Sequence, residues 1–153
     1  MRVESTAWRP APFVRAVSVG LVRRGDQVLV MAVRDDRGSV VGWRPVGGTI
    51  EFGERAADAL SREFREELGE DICDLQALCV LENLYTHNGA AGHEIVFVFS
   101  ANFVDTRAYR RESYEFVDGK IRNEVKWVDD AEFLEGSQEL FPTALIQYLK
   151  SSV

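Results

Sequence analysis

A glycine pair followed by a carboxylate-rich helix constrains this chain more than any other part of its sequence. The pair, residues 47–48, precedes a segment whose apolar residues recur with helical spacing. Each helical residue advances about 100°, so Glu63 and Glu67 stand one turn apart and Glu66 lies beside them. Like charges in the last turn of a helix repel one another and oppose the helix dipole. The cluster therefore predicts a neutralising partner, and a hard cation such as Mg²⁺ or Mn²⁺ suits carboxylate oxygens.

The helix predicted over residues 55–68 has one apolar face. That face comprises Ala56, Leu60, Phe64 and Leu68, with Ala57 alongside. Such a stripe is expected to pack on a sheet. Gly69 is placed to cap the helix end. Glu67 lies at the edge of the stripe, where an unpaired charge is costly to bury. The alternative is an ordinary charged surface helix.

The same segment resembles the signature of the Nudix hydrolases, G-x5-E-x7-R-E-U-x-E-E-x-G-U, in which U is a bulky apolar residue. The matching residues are Gly48, Glu54, Arg62, Glu63, Phe64, Glu66, Glu67 and Gly69. Glu70 departs from the pattern, because it stands where the last apolar residue is expected. The resemblance implies an α/β fold, a Nudix-type α/β/α sandwich with a mixed β-sheet, and one domain over residues 1–153.

The resemblance also implies an activity: Mg²⁺-dependent hydrolysis of a P–O–P bond in a nucleoside diphosphate linked to another moiety. Mn²⁺ would be a substitute ion. Glu63, Glu66 and Glu67 would hold the metal, with the backbone carbonyl of Gly47 or Gly48 as a further ligand. A carboxylate would take a proton from the attacking water. Which nucleotide derivative is cleaved stays open.

Two other roles follow from the resemblance. Arg62 is interpreted as a structural partner of Glu54 or Glu51 that holds the glycine loop against the helix. The general base varies within the family, and here Glu67, Glu94 and Glu124 are equal candidates.

Substrate contacts are predicted from residue type and position. Arg34, at a strand end, and Arg44, just before the glycine pair, could meet phosphate oxygens. Trp43, Phe52 and Tyr85 could stack on a base, although core packing is the commoner fate of an aromatic side chain. Two rival functions are a non-catalytic Nudix-fold nucleotide sensor, which usually lacks the carboxylates, and an isoprenoid diphosphate isomerase, which needs further active-site residues.

Hydrophobic periodicity predicts the other elements. Residues 13–24 and 27–34 form one predicted hairpin, and residues 75–85 and 94–104 form a second. Residues 124–128 suggest another strand, and a C-terminal helix opens at residues 141–142. Residues 35–42 and 105–120 are polar and are expected to be loops. This order suits a mixed sheet with helices on both faces.

Charge and composition restrict the classes of molecule that this protein is expected to bind. A net charge of −7 and a pI near 4.9 argue against general affinity for nucleic acid or anionic membrane. The sequence contains no apolar run of membrane-spanning length and no signal-peptide pattern, so a cytoplasmic location is expected. Cys73 and Cys79 fit no zinc pattern and are interpreted as free thiols. The expected partner is a small nucleotide-type substrate, and a homodimer stays open.

Overall fold

The computed structural model describes residues 8–119 and 121–150, which form a seven-stranded mixed sheet with helices on both faces. The strands are β1 (Val14–Arg24), β2 (Gln27–Arg34), β3 (Val40–Thr49), β4 (Ile72–His87), β5 (Ala90–Phe103), β6 (Ser113–Asp118) and β7 (Ile121–Asp129). The α-helices are α1 (Ala56–Leu68), α2 (Asp130–Leu134) and α3 (Ile146–Lys150), and 3₁₀ turns cover Thr106–Arg110 and Thr143–Leu145. The predicted α/β class and mixed sheet are confirmed.

Strand β3 joins two halves of the sheet. The strand order is β4-β5-β1-β3-β2-β7-β6. The second half of β3 pairs antiparallel with β1, whereas its first half pairs antiparallel with β2. On its other side β1 runs parallel to β5. This arrangement brings the start of β1 and the ends of β2, β3, β4 and β6 to one edge of the molecule.

Two apolar layers flank the sheet. On one face, Leu60, Phe64 and Leu68 of α1 pack with residues such as Val46 and Trp127. On the opposite face, the packed residues are Val19, Val98, Phe133, Leu145 and Leu149, among others. Because α1 covers one face and the short C-terminal helices cover the other, the architecture is an α/β/α sandwich.

Helix α1 largely follows its predicted pattern. Leu60, Phe64 and Leu68 are fully or nearly fully buried, as the apolar stripe predicted. Ala59 is also buried, whereas Ala56 is only half-buried near the helix start. The helix ends at Gly69, whose left-handed conformation (φ 68°) matches the predicted cap.

Several elements differ from the sequence predictions. The loop predicted over 35–42 is shorter because β3 begins at Val40, and β4 and β5 meet in a tight turn at Asn88 and Gly89. The stretch 105–120 was expected to be a loop, but it contains a 3₁₀ turn and β6. As the outermost strand of its half, β6 needs little apolar sequence, and of its six residues only Tyr114 is buried. The predicted C-terminal helix is a 3₁₀ turn followed by the short α3.

Helix α1, with 13 residues, is the longest helix in residues 8–119 and 121–150. Within those ranges no helix is both long and apolar enough to cross a bilayer.

Candidate active site

The glycine pair permits two close approaches. A Cβ built on Gly47 would lie 2.0 Å from the backbone oxygen of Ser18, so only glycine lets β3 lie this close to β1. A Cβ built on Gly48 would lie 2.6 Å from Oε1 of Glu63. The missing side chain of Gly48 therefore leaves the space that the carboxylate of Glu63 fills.

Arg62 ties the glycine turn to α1. Its Nε and Nη2 donate to the two carboxylate oxygens of Glu54, at 2.8 and 2.9 Å. Nη2 also donates to the backbone oxygen of Thr49 at 3.0 Å. Glu51, the other predicted partner, is 3.7 Å from Nη1. The guanidinium therefore links the end of β3, the following loop and the helix, and its hydrogen bonds lower the pKa of Glu54.

The same guanidinium neutralises two carboxylates of the helix. Arg62 Nη1 donates to Oε1 of Glu63 at 3.0 Å and to Oε2 of Glu66 at 3.2 Å. The Glu63 side chain is 14% exposed, whereas that of Glu66 is 59% exposed. Glu63 therefore points into the protein beside Gly48, while Glu66 lies at the surface.

Glu67 is the least satisfied carboxyl group of this site. Its Oε2 is buried and has no hydrogen-bond partner among the described residues. Burial raises the pKa of Glu67 to about 9, and a hydrogen bond to Glu63 and the charge of Glu63 act in the same direction. The positive charge of Arg44 lowers this pKa, and the negative charge of Asp118 raises it. In the metal-free protein at neutral pH, Glu67 therefore holds a proton.

The predicted convergence of Glu63, Glu66 and Glu67 on one point differs from the structure. Across residues 8–119 and 121–150, no three His, Cys, Asp or Glu side chains form a group arranged to hold a metal ion. The physical reason is that the repulsion is relieved in other ways. Arg62 draws Glu63 and Glu66 toward itself, and the proton on Glu67 removes the third charge. The chemistry of the donor set still fits a hard cation, because oxygen atoms surround the turn and the buried oxygen of Glu67 lacks a partner.

A cavity of about 970 Å³ opens beside these groups. Glu63, Glu67 and Gly48 line it, as do the two predicted phosphate contacts, Arg34 and Arg44. Residues from the β6–β7 hairpin, namely Phe116, Asp118, Ile121, Arg122 and Asn123, form another part of the lining. The volume lies within the range of small-molecule sites, and charged groups of both signs face it.

Sequence reasoning missed Asp118. It lines the cavity and is close enough to Glu67 to raise the pKa of that carboxyl. The available signal was an acidic residue immediately before Gly119, a glycine turn with φ 62°. This pattern indicates a residue at the end of a strand only if β6 has been recognised as a strand.

The two other general-base candidates are held in ion pairs. Glu94 is buried on β5, with its Oε2 3.7 Å from Nη2 of Arg15. Glu124 of β7 accepts from Arg34 Nη2 at 3.1 Å. Neither carboxylate is among the residues that line the cavity, whereas Glu67 is.

The predicted stacking residues lie elsewhere. Trp43 is 4% exposed, its Nε1 donates to Gln138, and Lys126 covers its ring at 4.7 Å. This burial leaves little of the ring exposed to a base. Tyr85 packs over Gly92, where an added Cβ would lie 2.3 Å from the ring, and Phe52 is fully exposed. None of the three lines the cavity.

The mixed sheet, the glycine turn and the carboxylate helix beside a polar cavity together define a Nudix-type domain. The NUDIX domain family model matches residues 12–145, and the chain belongs to this family. Among curated relatives, the nucleoside triphosphatases NudI of Escherichia coli (strain SE11) and Shigella flexneri are each 42% identical over 59 residues. The aligned region covers 38% of this chain and 42% of each relative, so the chain spans less than half of their length.

Solved structures show the same fold across most of the chain. A MutT NUDIX hydrolase from Burkholderia pseudomallei has a TM-score of 0.65 at 22% identity, covering 92% of this chain and 99% of that one. A NUDIX hydrolase from Nitrosomonas europaea has a TM-score of 0.63 at 18% identity, covering 94% and 90%. A UDP-X diphosphatase has a TM-score of 0.61 at 15% identity, covering 97% and 66%.

Proposed function

We propose that the chain is a divalent-cation-dependent hydrolase that cleaves a P–O–P bond in a nucleoside diphosphate linked to another moiety. One observation carries the proposal: Glu67, which has a buried and unpaired carboxyl oxygen, and Glu63, which fills the space beside Gly48, both line a large cavity. Keeping such a group inside a protein is costly unless a ligand completes it.

Glu63, Glu66 and Glu67 would hold the ion, Mg²⁺ with Mn²⁺ as a substitute, together with the backbone carbonyl of Gly48. When bound, the cation supplies charge neutralisation and a more acidic water. Glu67 would give up its proton to bind the cation, because a protonated carboxyl is a poor ligand. Asp118 is proposed as a further carboxylate that faces the same space.

Two arginines are proposed to bind the phosphate groups of the substrate. Arg34 and Arg44 line the cavity, and Arg34 is partly held by the backbone oxygen of Gly38 at 2.9 Å. A guanidinium suits phosphate oxygens because it presents several donors in one plane. Arg44 lies near Glu67, since its charge lowers the pKa of that carboxyl. A phosphate bound by Arg44 would therefore lie next to the carboxylates.

Glu67 is favoured over Glu94 and Glu124 as the group that accepts a proton from the attacking water. Glu67 lines the cavity, whereas Glu94 and Glu124 do not line it and are paired with Arg15 and Arg34. Proton transfer requires direct or water-mediated contact with the reacting water, which favours a carboxyl group that the cavity reaches.

The test is turnover of a panel of nucleoside triphosphates, nucleotide sugars, ADP-ribose and dinucleoside polyphosphates, with and without Mg²⁺ or Mn²⁺. Nucleoside triphosphates come first, because the curated relatives are named as nucleoside triphosphatases. A coupled phosphatase reports products that are monoesters. Metal-dependent turnover should fall at least roughly 100-fold in Glu67→Gln and Glu63→Gln if these groups act on the reacting centre.

Glu135→Gln is the matched control, because Glu135 is exposed at the end of α2 and does not line the cavity. Full activity of both Glu63→Gln and Glu67→Gln would contradict the assignment. Nucleotide binding without turnover of any substrate would instead favour the non-catalytic sensor.

A further inference from the structure

The cavity has a second wall that is distinct from the carboxylate end. Three segments meet there: the start of β1 with the chain that leads into it, the loop between β2 and β3, and the end of β4 with the turn that follows it. Trp8, Arg15, His87 and Asp36 from these segments all line the cavity. Arg15 contributes a guanidinium, and Trp8 and His87 contribute aromatic rings. The wall therefore combines a planar donor with flat apolar surfaces.

This wall is held in place by several contacts. Arg9, next to Trp8, donates to both carboxylate oxygens of Asp36, at 2.9 and 2.5 Å. The side chain of Asn88 accepts from the backbone N–H of Asp36 at 3.2 Å and donates to the backbone oxygen of Trp8 at 3.4 Å. Asn88 has a positive φ of 50°, which orients its side chain at the junction. The three segments therefore form a connected structure rather than a chance approach of loops.

The rings of the wall are arranged around the guanidinium. The ring centroids of Trp8 and His87 are 5.7 Å apart and tilted by 42°. The Cζ of Arg15 lies 5.5 Å from the Trp8 ring centroid, within the range of a cation–π contact. Trp8 is nevertheless 41% exposed, so part of its ring stays available to a ligand.

Arg15 has unsatisfied donors. Its Nε is buried and has no hydrogen-bond partner among the described residues, and its ion-pair contact to Glu94 is 3.7 Å, beyond hydrogen-bond length. Only 16% of the Arg15 side chain is exposed, so few water molecules can accept hydrogen bonds from its guanidinium. Leaving a donor buried without an acceptor is unfavourable. Because Arg15 lines the cavity, a ligand acceptor bound there can contact its guanidinium.

The surrounding charges indicate a neutral acceptor rather than a phosphate. Glu94 is buried beside Arg15 and offsets its positive charge. An anionic ligand would be repelled by this carboxylate, whereas a carbonyl oxygen would accept from the guanidinium without that penalty. A flat heterocycle that bears a carbonyl group satisfies both the donor and the exposed ring of Trp8.

We infer that this wall is a base-recognition subsite, in which Trp8 stacks on a nucleobase and Arg15 donates to a ring carbonyl. The inference rests on the proposed function and gives it a specificity: bases that carry a carbonyl, such as guanine and uracil, are preferred to adenine, which has none. An Arg contact of this kind discriminates between bases because donors and acceptors must match.

The experiment compares the wild type with the variants Arg15→Gln and Trp8→Leu. Arg37→Gln is the control, because Arg37 is exposed in the loop between β2 and β3 and does not line the cavity. The substrates are GTP, UTP, ATP and inorganic tripolyphosphate, which has no base. We expect Arg15→Gln to lower kcat/KM for GTP and UTP roughly 10- to 100-fold, with ATP and tripolyphosphate changed less than about 3-fold. Trp8→Leu should weaken all three nucleotides roughly 5- to 10-fold and leave tripolyphosphate unchanged.

An equal loss for ATP and tripolyphosphate in Arg15→Gln would overturn the inference by making Arg15 a phosphate contact. Unchanged kinetics in both variants would also overturn it. The proposed function fails separately if the wild type turns over neither these substrates nor the wider panel above. In either case, calorimetric binding of the β,γ-imido analogues of GTP and ATP still tests the wall. Tighter binding of the guanosine analogue that is lost in Arg15→Gln supports the subsite, and equal binding of the two analogues refutes it. If Arg15→Gln does not fold, Trp8→Leu decides by the same comparison with tripolyphosphate, because Trp8 is partly exposed.

Discussion

Replacing Glu67 with glutamine should stabilise the metal-free protein at alkaline pH and change its stability little at acid pH. The unfolded chain has the ordinary glutamate pKa of 4.5, whereas the folded protein raises the pKa of Glu67 to about 9. Above the unfolded pKa, the unfolded chain releases a proton that the folded protein keeps. Stability is therefore lost as pH rises from the unfolded pKa toward the folded one. Glutamine keeps the shape of the side chain and has no proton to lose.

The size of the effect follows from the two pKa values. Each unit of pKa difference corresponds to about 1.4 kcal/mol, so between about pH 5 and about pH 8 the wild type should lose about 4 kcal/mol relative to Glu67→Gln. That is a large share of the stability of a typical domain, about 5–15 kcal/mol. The difference in free energy of unfolding between the two proteins is the quantity to measure.

The assay is urea unfolding followed by tryptophan fluorescence at a series of pH values, with EDTA present to remove divalent cations. Glu135→Gln is the control, since Glu135 is exposed and does not line the cavity. Its stability should follow that of the wild type at every pH. A Glu67→Gln curve that also runs parallel to the wild type, within about 1 kcal/mol, would refute the assignment of a buried, protonated carboxyl.

Three further predictions concern the same region. Mg²⁺ should raise the melting temperature more at about pH 8 than at about pH 5, because the ion must displace a proton; equal shifts in differential scanning calorimetry would contradict this. Gly47→Ala should destabilise the protein by roughly 3 kcal/mol, because the added Cβ would clash with backbone atoms. Gly48→Ala should destabilise it by only about 1 kcal/mol, because the added Cβ would clash with the side chain of Glu63. By displacing Glu63, Gly48→Ala should also weaken Mg²⁺ binding at least roughly 10-fold. Calorimetry of both variants distinguishes these effects, and an equal loss of stability would argue against them. Arg62→Met should lower the free energy of unfolding in EDTA by about 2 kcal/mol, since Glu54 and Glu63 lose their counter-charge; chemical denaturation showing no loss would argue against the network.

The sequence predicted the elements that have strong periodicity. Leu60, Phe64 and Leu68 recur at helical spacing and are buried, and Gly69 caps the helix as expected. The long strands β1, β2, β4 and β5 contain runs of apolar residues, and these runs identified them. Strand β3 was only partly recognised, since glycine and Pro45 in its sequence are typical of loops. Tertiary pairing with β1 and β2 overrides that local preference.

The candidate site was predictable only where one short segment supplies it. The carboxylates of α1 and Arg62 lie within one stretch of sequence, so spacing alone relates them. Asp118 and the wall around Arg15 come from segments that are distant in sequence, and only the sheet brings them to one cavity. The burial of Trp43 could not be predicted either, because an aromatic residue before a glycine pair has the same sequence pattern whether it faces the core or a ligand.

The position of β1 also governs the order in which this molecule can assemble. Its partner β5 is parallel to it and pairs Val14 with His93, so the two strands are far apart along the chain. During synthesis, β1 can pair with β2 and β3 early, but one of its edges must wait until β5 has been made. Non-local parallel pairing of this kind slows folding, and an open strand edge favours pairing with the wrong chain. The cavity forms later still, because part of its lining belongs to β6 and β7. A nascent chain that ends before those strands would carry the entire carboxylate helix but only part of the cavity lining.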